Sequence, residues 1–233
     1  PDVKRVLVTS SLAAVGTCEG DPPIADETSP LLPISRYGTS KAQMEAALAD
    51  PQQMTQSYLD ALPITVIRPP AVYGPREADI YTFFQTCSKG ICPVVGDPFK
   101  PVLSLVHVRD LVNGMIDAAE SRETVGETLF LGSPRVYSWA EVRDATAKAL
   151  NRKLVTVRIP RFLVGTIGAA AEAFGKVSGT YPPLNREKAR EIRDACTACS
   201  SAKAHRLMNY APTVGLDEGI AETIDWYRAH DWL

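Results

Sequence analysis

Apolar residues fall along this chain in two rhythms, short unbroken runs and longer stretches with a helical period. The run from Arg5 to Ser10 is almost wholly apolar and ends in hydroxyls, as a strand buried on both faces of a parallel sheet would be. Ile64–Ile67 predicts a second such strand, stopped by Pro69 and Pro70, and Leu103–Val108 a third. Thr128–Leu131 and Val155–Ile159 read as further short strands, the latter closed by Pro160. Between these lie helical patterns. Ser40–Leu48 reads as helix, and Tyr37, Lys41, Met44 and Leu48 share one face of it. Asp110 is expected to cap a helix running to about Glu120. Ser138-Trp-Ala-Glu141 is a capping box, with Trp139, Val142, Thr146 and Leu150 on one face behind it. Leu216, Ile220, Ile224 and Tyr227 mark a final helix, and Gly16–Pro33 reads as loop. Strands alternating with helices predict an α/β fold with a parallel sheet, followed by a more irregular, Pro-rich region.

Composition narrows the function classes. In 233 residues, 25 basic face 27 acidic side chains, a balance that argues against a nucleic-acid or polybasic membrane partner. The longest apolar stretch, Phe162–Gly175, is short and interrupted by Glu172, so no membrane span is expected. Five cysteines are too few for a disulfide scaffold, and the count is odd. Cys196-Thr-Ala-Cys199 lacks a second ligand pair, so no metal site is expected and these residues are read as structural thiols. Reduced thiols and the lack of a visible export signal point to the cytoplasm.

Candidate chemistry gathers at Ser11, Tyr37 and Lys41. Tyr37-Gly-Thr-Ser-Lys41 puts a phenol and an ammonium one helical turn apart, and a neighbouring cation favours the phenolate a proton-transfer role requires. Ser11 closes a strand, where parallel-sheet enzymes place ligands, and its hydroxyl is suited to bond the same substrate oxygen. The Tyr-Lys spacing alone is a weak pattern, more often a solvated helix face than a catalytic pair.

The wider context is more specific. The stretch from Val3 to Gly16 resembles the active-site strand of extended short-chain dehydrogenases, the NAD-dependent epimerase/dehydratase family. The resemblance continues in order through Asp26-Glu27-Thr28, Tyr37-Gly-Thr-Ser-Lys41, Ile67-Arg-Pro-Pro-Ala-Val-Tyr-Gly-Pro75, Val106-His-Val-Arg-Asp110 and Thr223-Ile-Asp-Trp-Tyr-Arg228. It implies the C-terminal portion of a Rossmann-like parallel sheet plus a smaller mixed α/β substrate-binding region. Residues 1–75 would be a partial NAD(P)-binding domain and 76–233 the substrate region, with about 103–132 returning to the first. It also implies a catalytic triad of Ser11, Tyr37 and Lys41, with Tyr37 as acid/base and Lys41 holding the nicotinamide ribose. Ser10 and Ser11 would line the nicotinamide side of the site and the Pro70 backbone would lie beside the ring. NAD or NADP is the implied cofactor, a small molecule the substrate, and a homodimer through the Tyr–Lys helix is allowed.

Two departures bear on substrate. Nucleotide-sugar members commonly carry an Arg where Leu103 stands and an Asn where Ala71 stands. Losing a charge-assisted phosphate contact and a polar sugar contact tilts the reading towards hydroxysteroid dehydrogenase-like or dihydroflavonol reductase-like substrates. Leu12, Ala71, Arg76 and Leu103 are the candidate substrate-side residues, Arg76 retaining the ability to meet a phosphate. The family's Gly-rich fingerprint is not in these residues, and Gly165-Thr-Ile-Gly168-Ala-Ala-Ala171 lacks the preceding strand and following acid that would make it one. The chain opens at Pro1 on a mid-sheet strand, so about three βα units of ~30 residues each are expected upstream. Three functions follow: a dehydrogenase or epimerase acting at a secondary alcohol or ketone, a nucleotide-sugar enzyme, and a non-catalytic binding or scaffold module.

Overall fold

The computed structural model describes residues 3–50, 62–178 and 186–233, and the contacts below are among these. In chain order the first half forms β1 (Val6–Thr9), α1 (Arg36–Ala49), β2 (Ile64–Arg68), β3 (Ala71–Tyr73), α2 (Tyr81–Ser88), β4 (Ile91–Val95), β5 (Pro101–Leu103) and β6 (Leu105–His107). The second half forms α3 (Val108–Glu120), β7 (Thr128–Phe130), β8 (Tyr137–Ser138), α4 (Trp139–Leu150), β9 (Val155–Ile159), α5 (Arg161–Ser178), α6 (Arg186–Asp194), α7 (Ala202–Met208) and α8 (Leu216–Ala229). The chain divides into two compact units. Unit 1 comprises residues 1–72, 104–136 and 196–214; unit 2 comprises 73–103, 137–195 and 215–233.

In unit 1, β1, β2 and β7 form a parallel sheet in that order, with Val6 opposite Ile64 and Val66 opposite Thr128. The central strand is buried throughout its Ile-Thr-Val-Ile-Arg sequence, which is why it carries no alternation. Ile67 and Leu129 join Leu111 and Ala118 of α3, Ala204 of α7, Leu131 and Tyr210 in one core. In unit 2, β4 pairs in parallel with β9 and β5 pairs antiparallel with β8. Ile220, Ile224 and Tyr227 are the buried face of α8, and the Tyr227 hydroxyl donates to the Glu77 carbonyl oxygen at 2.7 Å. The capping box forms as expected: Ser138 Oγ accepts from the Glu141 amide, and the Glu141 carboxylate accepts from the Ser138 amide at 2.8 Å.

Three expectations are corrected. The strand predicted over Leu103–Val108 is two strands in different units, broken at Ser104, whose amide donates to the Thr197 carbonyl and whose hydroxyl donates to that of Cys199. The α3 cap is His107, not Asp110; the Asp110 carboxylate instead accepts from the Thr213 and Val214 amides, each at 3.0 Å. Cys196 is not a plain thiol: it is disulfide-bonded to Cys18, with the two Cα atoms 5.5 Å apart. That bond, with the Ala25 amide on the Ala198 carbonyl and the Ser200 amide on the Ala25 carbonyl, is what returns residues 196–214 to unit 1. The disulfide also removes the reduced-thiol argument on which the cytoplasmic expectation rested. No helix among the described residues is long and apolar enough to cross a membrane, and no metal-ligating cluster occurs among them.

Candidate active site

Three backbone segments of unit 1 assemble the site. β1 delivers Thr9, Ser10 and Ser11 to the carboxyl edge of the parallel sheet, the edge at which such sheets bind ligands. Ser11 is the N-cap of a 3₁₀ turn over Leu12–Ala14, its Oγ accepting from the Ala13 amide at 3.2 Å. Because the oxygen serves as acceptor there, the hydroxyl proton remains available for donation to a ligand.

Helix α1 begins one residue before Tyr37. Ser35 caps it by accepting from the Gly38 amide at 3.1 Å. Gly38 is seated against the turn that follows Ser11: a methyl group there would run into the Ala13 carbonyl oxygen and lie 3.1 Å from its carbon and 3.2 Å from Pro33 Cβ. The glycine between Tyr37 and Lys41 is therefore what lets the helix approach the Ser11 segment. Tyr37 is 53% exposed, and its hydroxyl has no partner among the described residues. The Lys41 ammonium lies 5.7 Å from the Tyr37 ring centroid and donates to the Thr9 carbonyl at 2.8 Å. One backbone acceptor holds the lysine beside the phenol with further N–H bonds left to offer.

The third segment follows β2. Pro70 is buried, and the Pro69 carbonyl accepts from the Leu12 amide at 3.0 Å, tying this turn to the Ser11 segment. Ala71 is exposed at the start of β3.

The remaining sequence candidates have other surroundings. Ser10, expected beside the cofactor, is 1% exposed and its hydroxyl donates to Glu45 Oε1, so that group is committed to the interior. Leu12 is buried among Val15, Ala25, Phe130, Cys196 and Cys199, a core position rather than a substrate-facing one. Leu103 and Arg76 belong to unit 2: Leu103 is buried opposite Tyr137, and Arg76 is exposed with φ 71°.

Two residues the motif reading passed over stand directly behind the site. Glu45 on α1 and Arg68 at the end of β2 form a buried ion pair, with side chains 8% and 7% exposed. Arg68 Nε donates to Glu45 Oε1 at 2.9 Å and Nη2 to Oε2 at 2.5 Å. The signal was present in the chain, since Arg68 ends an otherwise uncharged buried strand and Glu45 sits one turn beyond Lys41.

Residues 2–132 match the NAD dependent epimerase/dehydratase family. The chain belongs to that family. A ceramide reductase of Caulobacter vibrioides is 29% identical over 86% of this chain and 59% of its own length. A 3beta-hydroxysteroid-dehydrogenase/decarboxylase of Arabidopsis thaliana is 26% identical over 96% of this chain and 53% of its own. The fold is that of the UDP-glucuronic acid 4-epimerase of Bacillus cereus, whose structure in complex with NAD gives a TM-score of 0.71 at 18% identity, over 98% of this chain and 62% of that one. The chain spans about three fifths of the length of the curated relatives it matches.

Proposed function

We propose that the protein is an NAD(P)-dependent oxidoreductase or epimerase acting at a secondary alcohol or ketone, with Tyr37 as acid/base. The observation that carries this reading is the open Tyr37 phenol with Lys41 beside it and the Ser11 hydroxyl on the segment against which α1 is seated. These residues fit a nicotinamide cofactor. Lys41 has N–H donors beyond the one given to Thr9, as gripping ribose hydroxyls requires, and Ser11 and Tyr37 leave their hydroxyls open. The cofactor, when bound, gives or accepts the hydride. Tyr37 gives a proton to the substrate oxygen in reduction and takes it in oxidation, while Ser11 donates a hydrogen bond to the same oxygen. Lys41, held by the Thr9 carbonyl, keeps its ammonium beside the Tyr37 ring with N–H donors to spare.

For the substrate we favour a sterol-, lipid- or flavonol-like alcohol over a nucleotide sugar. Leu103 in place of a phosphate-gripping Arg, and Ala71 in place of a sugar-binding Asn, support this, as does the ceramide reductase among the relatives. A nucleotide sugar is the second reading, favoured by the exposed Arg76 and the epimerase whose fold the chain shares. Tyr37→Phe in the gene product carrying this chain is expected to abolish turnover while changing NAD(P)H affinity less than threefold. Full activity in that variant refutes the mechanism. A thermal-shift series with UDP-sugars separates the two substrate readings: the favoured one expects no rise in melting temperature.

A further inference from the structure

Helix α1 carries Tyr37 and Lys41, yet among its residues only Gly38 and Glu45 are buried. Met44 and Leu48, which share the Tyr37 face in sequence, are only half-buried. An apolar stripe therefore does little to fix where this helix lies along the sheet. Gly38 sets how closely its first turn approaches the Ser11 segment. Glu45, two turns beyond Tyr37, supplies the other anchor. Its carboxylate receives the planar fork of Arg68 from β2 and the hydroxyl of Ser10 from the end of β1. The Arg68 guanidinium carbon is 5.5 Å from the Phe130 ring centroid, which holds the fork from β7 as well. Ser10 sits between Thr9, whose carbonyl holds Lys41, and Ser11. One carboxylate thus ties the helix of the acid/base to both neighbouring strands.

We infer that Glu45 and Arg68 are positioning residues, the bidentate pair that fixes the register of α1 and so places Tyr37 and Lys41 against Ser11. This rests on the reading of Ser11, Tyr37 and Lys41 given above. Apolar contacts tolerate sliding, whereas a paired fork between a guanidinium and a carboxylate has one geometry. Displacing a catalytic group by about 1 Å costs on the order of 10²-fold in rate.

A purely stabilising pair and a positioning pair behave differently when both charges are removed. Replacing a buried ion pair by apolar side chains of similar volume is commonly neutral or stabilising, whereas breaking it on one side leaves a buried charge uncompensated. The test compares Glu45→Gln, Arg68→Lys and the double variant Glu45→Leu/Arg68→Met with wild type. The double variant is expected to melt within about 2 °C of wild type. Its amides in the 36–48 segment should nonetheless exchange at least tenfold faster, with β1 and β2 protected as in wild type. Turnover should remain at least tenfold low, with KM within threefold. A double variant that recovers wild-type exchange in α1 together with wild-type kcat overturns the inference. If the double variant folds poorly, Ser10→Ala removes a single donor and should raise α1 exchange severalfold; unchanged exchange there overturns it too. Lack of turnover in the wild type refutes the functional reading instead, while the exchange measurement, which needs no cofactor, still decides the register claim.

Discussion

Gly38→Ala should destabilise this protein although the same change in most helices is favourable. Alanine is better than glycine in a helix interior by about 1 kcal/mol, and it also narrows the unfolded ensemble. Against that gain stands the Ala13 carbonyl, which the new methyl group would strike, with the Ala13 carbonyl carbon at 3.1 Å and Pro33 Cβ at 3.2 Å. The obstructing atoms are backbone and a proline ring, so no side-chain rotation relieves the contact and α1 must move off the turn. Overpacking costs about 1–3 kcal/mol, and a backbone obstruction this close belongs to the upper part of that range, about 2–3 kcal/mol, leaving a net loss of roughly 1–2 kcal/mol. For a chain of this size that corresponds to a melting temperature lower by about 3–6 °C. Gly165 in α5 provides the opposite case, because a methyl group there meets only Arg193 Nη1, at 3.7 Å. Gly165→Ala should raise the melting temperature by about 2 °C. Circular dichroism melts of both variants beside wild type give the two signs, and they remain opposite even if the two units unfold in separate steps. A Gly38→Ala protein as stable as wild type refutes the claim that close approach at this position seats the helix.

The cysteines give a count. Cys18 and Cys196 are paired, while Cys87, Cys92 and Cys199 are free and buried, with burial pushing the Cys199 thiol up to about 12. A thiol reagent at pH 8 should find none in the native protein, three in denaturant and five after reduction; reactive thiols in the native state would contradict the packing. Cys18→Ser should cost about 2–4 kcal/mol by loosening the unfolded chain's constraint, read as a lower denaturation midpoint in urea, and no change would refute it. Burial raises the Glu77 carboxyl above its ordinary value, outweighing the Asp79 and Ile80 amides that donate to it. A raised carboxyl favours the folded state below the unfolded value of 4.5, and this contribution is lost as pH rises through the folded value. Relative to Glu77→Gln, wild type should therefore gain stability as pH falls towards 4.5; melting curves over that range that run parallel would refute the assignment.

What the chain reveals to inspection divides along physical lines. β1, β2 and the Ser138 capping box are written in neighbouring residues, because apolar runs and caps act over one or two turns of chain. The positions of Tyr37 and Lys41 on α1 and of Ser11 just past β1 are legible in the same way, while their grouping as a candidate site comes from the wider family resemblance. The break at Ser104 was hidden because its partners, Thr197 and Cys199, are some 90 residues away and the local residues suit a continuous strand. Asp110 looked like a cap for the same reason: its preference for amide donors is real, but the amides it meets belong to Thr213 and Val214. Glu45 is not legible as a buried group because a glutamate on a helix is ordinarily solvated, and the partners that make its burial tolerable, Arg68 and Ser10, come from strand ends distant in sequence.

The return of Cys196–Val214 to unit 1 bears on how the protein is made. β1 leaves the ribosome roughly two hundred residues before the segment that Ala25, Ser104 and Asp110 bind. At about 5–20 residues per second, Ala25 waits roughly 10–35 s for Ala198 and Ser200. Unit 2 is interleaved with unit 1 along the chain, and its segment Gly215–Leu233 comes later still. Neither unit can finish during synthesis of its own opening segments, and the segments that complete them follow one another directly in the chain. Until residues 197–214 emerge, the Ala25 amide and carbonyl, the Ser104 amide and the Asp110 carboxylate lack their native partners, and a nascent chain in that state exposes surface that chaperones bind.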